Sequence, residues 1–169
     1  MVGEVAYGQV RPDRLLVIND PVISLHAVLA PNPRTAALAR LLVASVLSDG
    51  ASRMLDRDIT DRASLVVSEL VTNAVLHART RVELGLCHDR RALLITVADG
   101  APAERIISLV EPVGATIDLG ESGRGMAIVG GITDSYGVQR RDGAPGKVVW
   151  AVIEFDTRWA VDEVTGAGC

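Results

Sequence analysis

The chain has 169 residues and a formal net charge of −4 at pH 7; 49% of its residues are hydrophobic but only 3% are aromatic. This length fits one domain with a mainly aliphatic core, and the negative charge gives no electrostatic case for binding nucleic acid or an anionic membrane surface. Cys87 and Cys169 are the only cysteines, which argues against a disulfide framework or a metal cluster. No apolar run approaches the ~20 residues of a membrane span, and the N-terminus lacks a signal-peptide pattern, so we expect a reduced, cytoplasmic setting.

The beginning of the chain predicts an arm, a strand and a helix. Residues 1–21 combine glycines and prolines with one short apolar run, so we expect an N-terminal arm there and a domain over 22–155. A strand is predicted over 22–30, where prolines stop it, and a helix rich in apolar residues over 35–47. The last residues, 156–169, predict a flexible tail.

A second helix is predicted to end near residue 78, with Thr60 or Asp61 as its N-cap. At the helical period its apolar residues form one arc, which predicts the face that packs on the core. Leu65 and Leu76 fall on the side of this helix that should face water. The arc consists of Val66, Val67, Leu70, Val71, Ala74 and Ala78.

Glu69, Asn73 and His77 are each four residues apart, so on this helix they form one ridge. Glu69 and Asn73 lie along the edge of the apolar arc, where a helix leaves its core and can meet a pocket. A carboxylate there can hold a hydroxyl proton, and a carboxamide oxygen one turn later suits Mg²⁺. Polar residues on a helix flank are more often simply solvated, so this ridge needs its neighbours to indicate a site.

The second half of the chain predicts three strands, a long irregular segment and one helix. Alternation over 81–87 predicts a half-buried strand, and the apolar residues at 93–98 predict a central one. A tight turn at 99–102 follows, then an irregular segment over 103–122 of a kind that is usually functional or mobile. We expect a helix over 124–133 and a closing hairpin from strands at 136–141 and 147–155.

Two further features have a physical use around a nucleotide. Asp99, at the end of the central strand, can accept a hydrogen bond from an exocyclic amine, although an aspartate there is more often an ordinary turn former. The segment Gly120-Glu-Ser-Gly-Arg-Gly125 opens a helix, where backbone N–H groups and the helix dipole favour phosphate oxygens. Each signal is weak by itself, and their order along the chain with the polar ridge carries the nucleotide hypothesis.

This order resembles the Bergerat (GHKL) ATP-binding family, which includes gyrase, Hsp90, histidine kinases and the anti-sigma-factor kinases. The run Ser68-Glu-Leu-Val-Thr-Asn-Ala-Val-Leu-His77 looks like the family's N box. Val97-Ala-Asp-Gly100 looks like its first glycine box, and Gly123-Arg-Gly-Met-Ala-Ile-Val129 like the second. The length of the chain and the residues of its motifs are most similar to those of the SpoIIAB/RsbW-like anti-sigma branch. The resemblance implies an α+β fold, a Bergerat-type two-layer sandwich with a mostly antiparallel sheet and helices on one face.

The resemblance also implies roles for particular residues in binding ATP and Mg²⁺. Glu69 would be the catalytic base, Asn73 the magnesium ligand and Asp99 the residue that binds adenine. Arg124 would supply positive charge during phosphotransfer. The remaining positions that match nucleotide-binding parts of the family are His77, Gly100, Ala101, Gly120, Ser122, Gly123, Gly125 and Met126.

Two functional hypotheses follow. The first is an anti-sigma-factor serine-protein kinase that phosphorylates a STAS-type antagonist. Its other partner would be a sigma factor, and similar proteins commonly dimerise. The second is a regulator that binds ATP and a partner without phosphotransfer. The second is favoured by two departures from the family pattern: the glycine expected two residues after Asp99 is replaced by Ala101, and Glu121 stands where some kinases carry an arginine.

Overall fold

The computed structural model describes residues 23–48, 55–88, 91–102, 121–141 and 143–155. These residues form five strands and three helices, in the chain order β1, α1, α2, β2, β3, α3, β4, β5. The strands are β1 (Ile23–Leu29), β2 (Val82–His88), β3 (Ala92–Asp99), β4 (Ser135–Arg140) and β5 (Lys147–Glu154). The helices are α1 (Thr35–Ser48), α2 (Arg57–His77) and α3 (Glu121–Ile132).

All five strands belong to one antiparallel sheet with the order β1-β2-β3-β5-β4. Alternate residues of each strand point to the same face, so the register aligns one apolar set across the sheet. In the centre, Leu84 of β2 lies opposite Val97 of β3, and Val97 lies opposite Val149 of β5. All three side chains are buried in the core. The sequence-based prediction of an α+β fold with an antiparallel sheet is therefore confirmed.

The helices form the second layer, with α2 at its centre. This helix packs against β2, β3 and β5, whereas α1 packs against α2 and β1, and α3 packs against α2 and β4. The buried residues of α2 include Val66, Val67, Leu70, Val71 and Ala74, all from the predicted apolar arc. Leu65 and Leu76 are 42% and 62% exposed, as the predicted helical phase requires.

Two helix starts differ from the sequence-based predictions. Helix α2 begins at Arg57 after Asp56, so the predicted N-caps Thr60 and Asp61 are wrong. The reason is that Ile59 is buried and extends the apolar face by one turn. Helix α3 begins three residues before the predicted 124, so most of the glycine segment forms the first turns of the helix instead of preceding it.

Several predictions concern segments outside the described residues. These are the N-terminal arm at 1–21, the irregular segment as far as residue 120, and the tail at 156–169. The domain limits of 22–155 stay a prediction for the same reason. Of the three helices in the described ranges, none is long and apolar enough to cross a membrane.

One pair of substitutions tests the packing of α2. Leu70 is 2% exposed and Leu76 is 62% exposed on the same helix. We expect Leu70→Ala to lower the free energy of unfolding by about 2–5 kcal/mol, because it removes buried methyl groups and leaves a cavity. Leu76→Ala is the matched control and should change it by less than about 0.5 kcal/mol. Equal costs in urea denaturation would contradict the orientation of this helix.

Candidate functional site

The polar ridge of α2 lies at the margin of the core. Glu69, Asn73 and His77 are all partly buried, and core residues Leu70 and Ala74 follow the first two directly in the chain. The Nε2 atom of His77 is buried and has no hydrogen-bond partner among the described residues. Buried polar atoms are rarely left without a partner, so this atom is available to a group from outside those residues.

The first turns of α3 approach this ridge closely at Gly125. A methyl group on Gly125 would lie 2.7 Å from Oε2 of Glu69 and 3.6 Å from Nδ2 of Asn73. The absence of a side chain at Gly125 therefore lets the helix backbone come close to both polar groups. The unsatisfied N–H groups and partial positive charge of a helix belong to its first turn, which here begins at Glu121, so they lie about one turn before the contact of Gly125 with the carboxylate and the carboxamide.

The other end of α3 is also fixed to α2. The Arg62 side chain donates two hydrogen bonds, from Nε at 3.0 Å and Nη2 at 2.8 Å, to the carbonyl oxygen of Ile132, the last residue of α3. A guanidinium at a helix C-terminus satisfies free carbonyls and opposes the negative end of the dipole. Helix α3 is therefore placed against α2 at two points, by Gly125 near Glu69 and by Ile132 at Arg62.

The Asp99 carboxylate at the end of β3 is bound by a lysine. Nζ of Lys147 donates to Oδ1 at 2.7 Å and to Oδ2 at 2.8 Å. The side chains of Asp99 and Lys147 are 2% and 1% exposed, respectively. The backbone N–H of Ala101 donates a further hydrogen bond of 2.7 Å to Oδ1. Asp99 and Lys147 are directly opposite in the β3–β5 register, so the sheet itself brings the two charges together.

The backbone around this ion pair is tightly packed. Gly146 has a φ of 115°, and a side chain there would overlap the carbonyl oxygen of Asp99. The N–H of Gly100 donates to Oγ1 of Thr80 at 2.9 Å, and Thr80 follows α2 by three residues. These contacts connect the end of β3 to the start of β5 and to the segment after α2. Gly100 and Ala101 form the predicted turn around Asp99.

The structure brings some of the sequence-predicted residues together and leaves others undescribed. Glu69, Asn73 and Gly125 meet at the α2–α3 junction. The side chain of Met126, the residue after Gly125, lies in the core and is 2% exposed. Gly120 and the side chains of Ser122 and Arg124 lie outside the described residues, and at Gly123 only the helical backbone is described.

Sequence reasoning missed Lys147, Gly146 and Thr80. A signal for Lys147 was present in the sequence. Residues 147, 149, 151 and 153 are alternate positions of the final strand and therefore share one face, and all of them except the lysine are aliphatic. A charged residue in an inward-facing position needs a buried partner of opposite charge. No comparable local pattern marks Thr80, because its contact with Gly100 depends on how the turn after α2 folds.

The fold is an α+β sandwich in which α3 passes close to a carboxylate and a carboxamide of α2. The comparison with protein families agrees: the model of the family described as histidine kinase-like ATPase domain matches residues 29–153. The chain belongs to this family, which confirms the GHKL-type resemblance and implies that the domain binds ATP. No individual curated protein matches the sequence significantly.

The close approach at Gly125 predicts a selective effect of a single methyl group. Gly125→Ala should displace the Glu69 carboxylate, place a methyl group beside Asn73, the proposed magnesium ligand, and weaken binding of ATP with Mg²⁺ by about tenfold or more, a change of about 1.4 kcal/mol. The fold should survive, because the displaced group is the end of a flexible side chain and alanine favours a helix. Binding is measured by calorimetric titration.

Gly131→Ala is the matched control, because a side chain at this position of α3 would meet nothing within 4 Å. It should leave ATP affinity unchanged and stabilise the protein by up to about 1 kcal/mol. Equal ATP affinities for the two variants would show that the α3 approach to Glu69 has no part in binding.

The buried ion pair predicts a strongly non-additive effect on stability. Lys147→Met should cost about 3–5 kcal/mol, because it leaves the Asp99 carboxylate buried without its counter-charge. The double variant Asp99→Asn/Lys147→Met removes both charges and should recover most of that loss. Denaturant unfolding measures both. A cost below about 1 kcal/mol for the single variant would mean that the pair is not buried as described.

Proposed function

We propose that the protein binds ATP with Mg²⁺ at the α2–α3 junction and transfers the γ-phosphate to a serine of an antagonist protein, as an anti-sigma-factor kinase does. The observation that carries this proposal is the contact of Gly125 with Glu69 and Asn73. It combines a helix start suited to phosphate with the two side chains that phosphotransfer with a metal requires.

The residues at the junction fit a nucleotide phosphate with its metal. Asn73 offers a neutral oxygen ligand, and Mg²⁺ typically takes few protein ligands and completes its shell with phosphates and water. The glycine at 125 lets the backbone of α3 pass close to the Glu69 carboxylate and the Asn73 carboxamide, and Nε2 of His77 has no hydrogen-bond partner among the described residues. Bound Mg²⁺ would neutralise charge on the phosphates.

Glu69 is the residue that we propose as general base. Its carboxylate is partly buried and lies against the start of α3, so a serine hydroxyl held at this junction could give its proton to it. We propose that Arg124 adds positive charge beside Gly125, as the resemblance implies, and that the segment after residue 102 closes over the phosphates. At the other end, Asp99 would accept a hydrogen bond from the adenine amine.

The second candidate function is a regulator that binds ATP and a partner protein without phosphotransfer. Ala101 and Glu121, the two departures from the family pattern, favour it. Exposed leucines on α1 also suit a protein-binding face, since Leu38 and Leu41 are 48% and 69% exposed. For either function we propose a cytoplasmic protein whose partners are a sigma factor and a STAS-type antagonist, or a second copy of the chain.

Glu69→Gln tests the kinase function against the regulator. This change keeps the size of the side chain and removes its basicity, so phosphate transfer from labelled ATP to an antagonist serine should fall by roughly 10²–10⁴-fold. Binding of ATP should be retained, and calorimetry checks this. Asp61→Asn, an exposed position on the same helix, is the matched control and should leave transfer unchanged.

Two results would contradict the kinase assignment. Full transfer activity in Glu69→Gln would remove Glu69 from the role of base. A wild-type protein that binds ATP tightly but transfers no phosphate to any offered antagonist serine would instead support the regulator.

A further inference from the structure

Lys147 is the only lysine in the sequence, and it is buried where the proposed site would contact the adenine ring. Its ammonium group has three N–H donors, and within the described residues it donates only to Oδ1 and Oδ2 of Asp99. Among the described residues one donor therefore has no acceptor. A buried donor without a partner is unfavourable, so this group is prepared for an acceptor from outside the described residues.

The Asp99 carboxylate has one matching free position. Each carboxylate oxygen can accept two hydrogen bonds. Oδ1 already accepts from Lys147 and from the N–H of Ala101, whereas Oδ2 accepts only from Lys147 among the described residues. Within the described part of the chain the ion pair thus keeps one acceptor, on Oδ2, and one donor, on Nζ, 2.8 Å apart.

A donor and an acceptor at this separation complement the edge of adenine, whose 6-amino group donates next to the acceptor N1. We propose that Lys147 reads the base together with Asp99: Nζ donates to N1 of adenine while Oδ2 accepts from the 6-amino group. This inference rests on the proposed function, because it requires that ATP binds here. It assigns to Lys147 a role in specificity that Asp99 alone would not provide.

The low exposure of the pair supports this assignment. Side chains that are 1% and 2% exposed have little contact with water, so each hydrogen bond made there counts more than at the surface. The position of Nζ is also fixed, because the sheet register and the close packing of Gly146 against Asp99 set where β5 starts. A flexible surface lysine could not discriminate between two bases in this way.

The test compares ATP with 1-deaza-ATP, in which a C–H group replaces N1 and the 6-amino group is kept. Calorimetric titration with Mg²⁺ should show that the wild-type protein binds 1-deaza-ATP about tenfold or more weakly than ATP, since the buried donor then has no acceptor. In Lys147→Met the ratio of the two affinities should fall to about one. Circular dichroism and thermal unfolding check that this variant is folded.

The double variant Asp99→Asn/Lys147→Met keeps the test valid if Lys147→Met does not fold, because it leaves no buried charge. Its ratio of the two affinities should also be about one. The single lysine gives an independent readout, since ¹⁵Nζ-lysine labelling produces one side-chain ammonium signal from the whole chain. ATP should shift this signal and 1-deaza-ATP should shift it much less.

Several results would overturn the inference. Equal wild-type affinities for ATP and 1-deaza-ATP would show that N1 receives no hydrogen bond. An unchanged ratio in Lys147→Met would show that another group supplies it, and tighter binding of GTP than of ATP would show that the pair reads guanine. If the wild-type protein binds none of these nucleotides, the proposed function fails, and that result is distinct from loss of discrimination between nucleotides that do bind.

Discussion

The close contact between α3 and the polar ridge of α2 is the constraint on which the rest of the site depends. Gly125 lies so near Glu69 and Asn73 that even one methyl group would collide with the carboxylate, and Arg62 holds the far end of α3 through the carbonyl of Ile132. Helix α3 therefore has a fixed position relative to the two side chains at Gly125. Geometry fixed in this way would suit the phosphotransfer that we propose for the site.

The Asp99–Lys147 pair gives the site a second fixed point. Isolated buried ion pairs seldom add net stability, because desolvation of both charges offsets their attraction. Specificity therefore explains the buried ion pair at the end of β3 better than stability does. Among the described residues the pair keeps a donor beside an acceptor in a place with little water, which is the arrangement behind our proposal that Lys147 and Asp99 together recognise adenine.

Periodicity predicted the fold and the placement of the polar ridge on α2 well, and failed where contacts depend on distant parts of the chain. The four-residue spacing of Glu69 and Asn73 and the apolar arc around Leu70 fixed the orientation of α2, since helical geometry is local. The start of α3 was predicted three residues too late, because glycines were taken as helix breakers although packing against α2 accommodates them. Lys147 was missed because its partner lies 48 residues away, and only the strand register shows that the two are opposite.

The measurement that tests the account most directly is calorimetric titration of ATP into the protein with and without Mg²⁺, repeated on Asn73→Ala. The account predicts binding that depends on magnesium and that Asn73→Ala weakens by about tenfold or more, because the carboxamide is the proposed metal ligand. Leu76→Ala, on the exposed side of the same helix, should bind as the wild type does. Absence of binding at millimolar ATP, or binding that neither magnesium nor Asn73 affects, would contradict a nucleotide site at the α2–α3 junction.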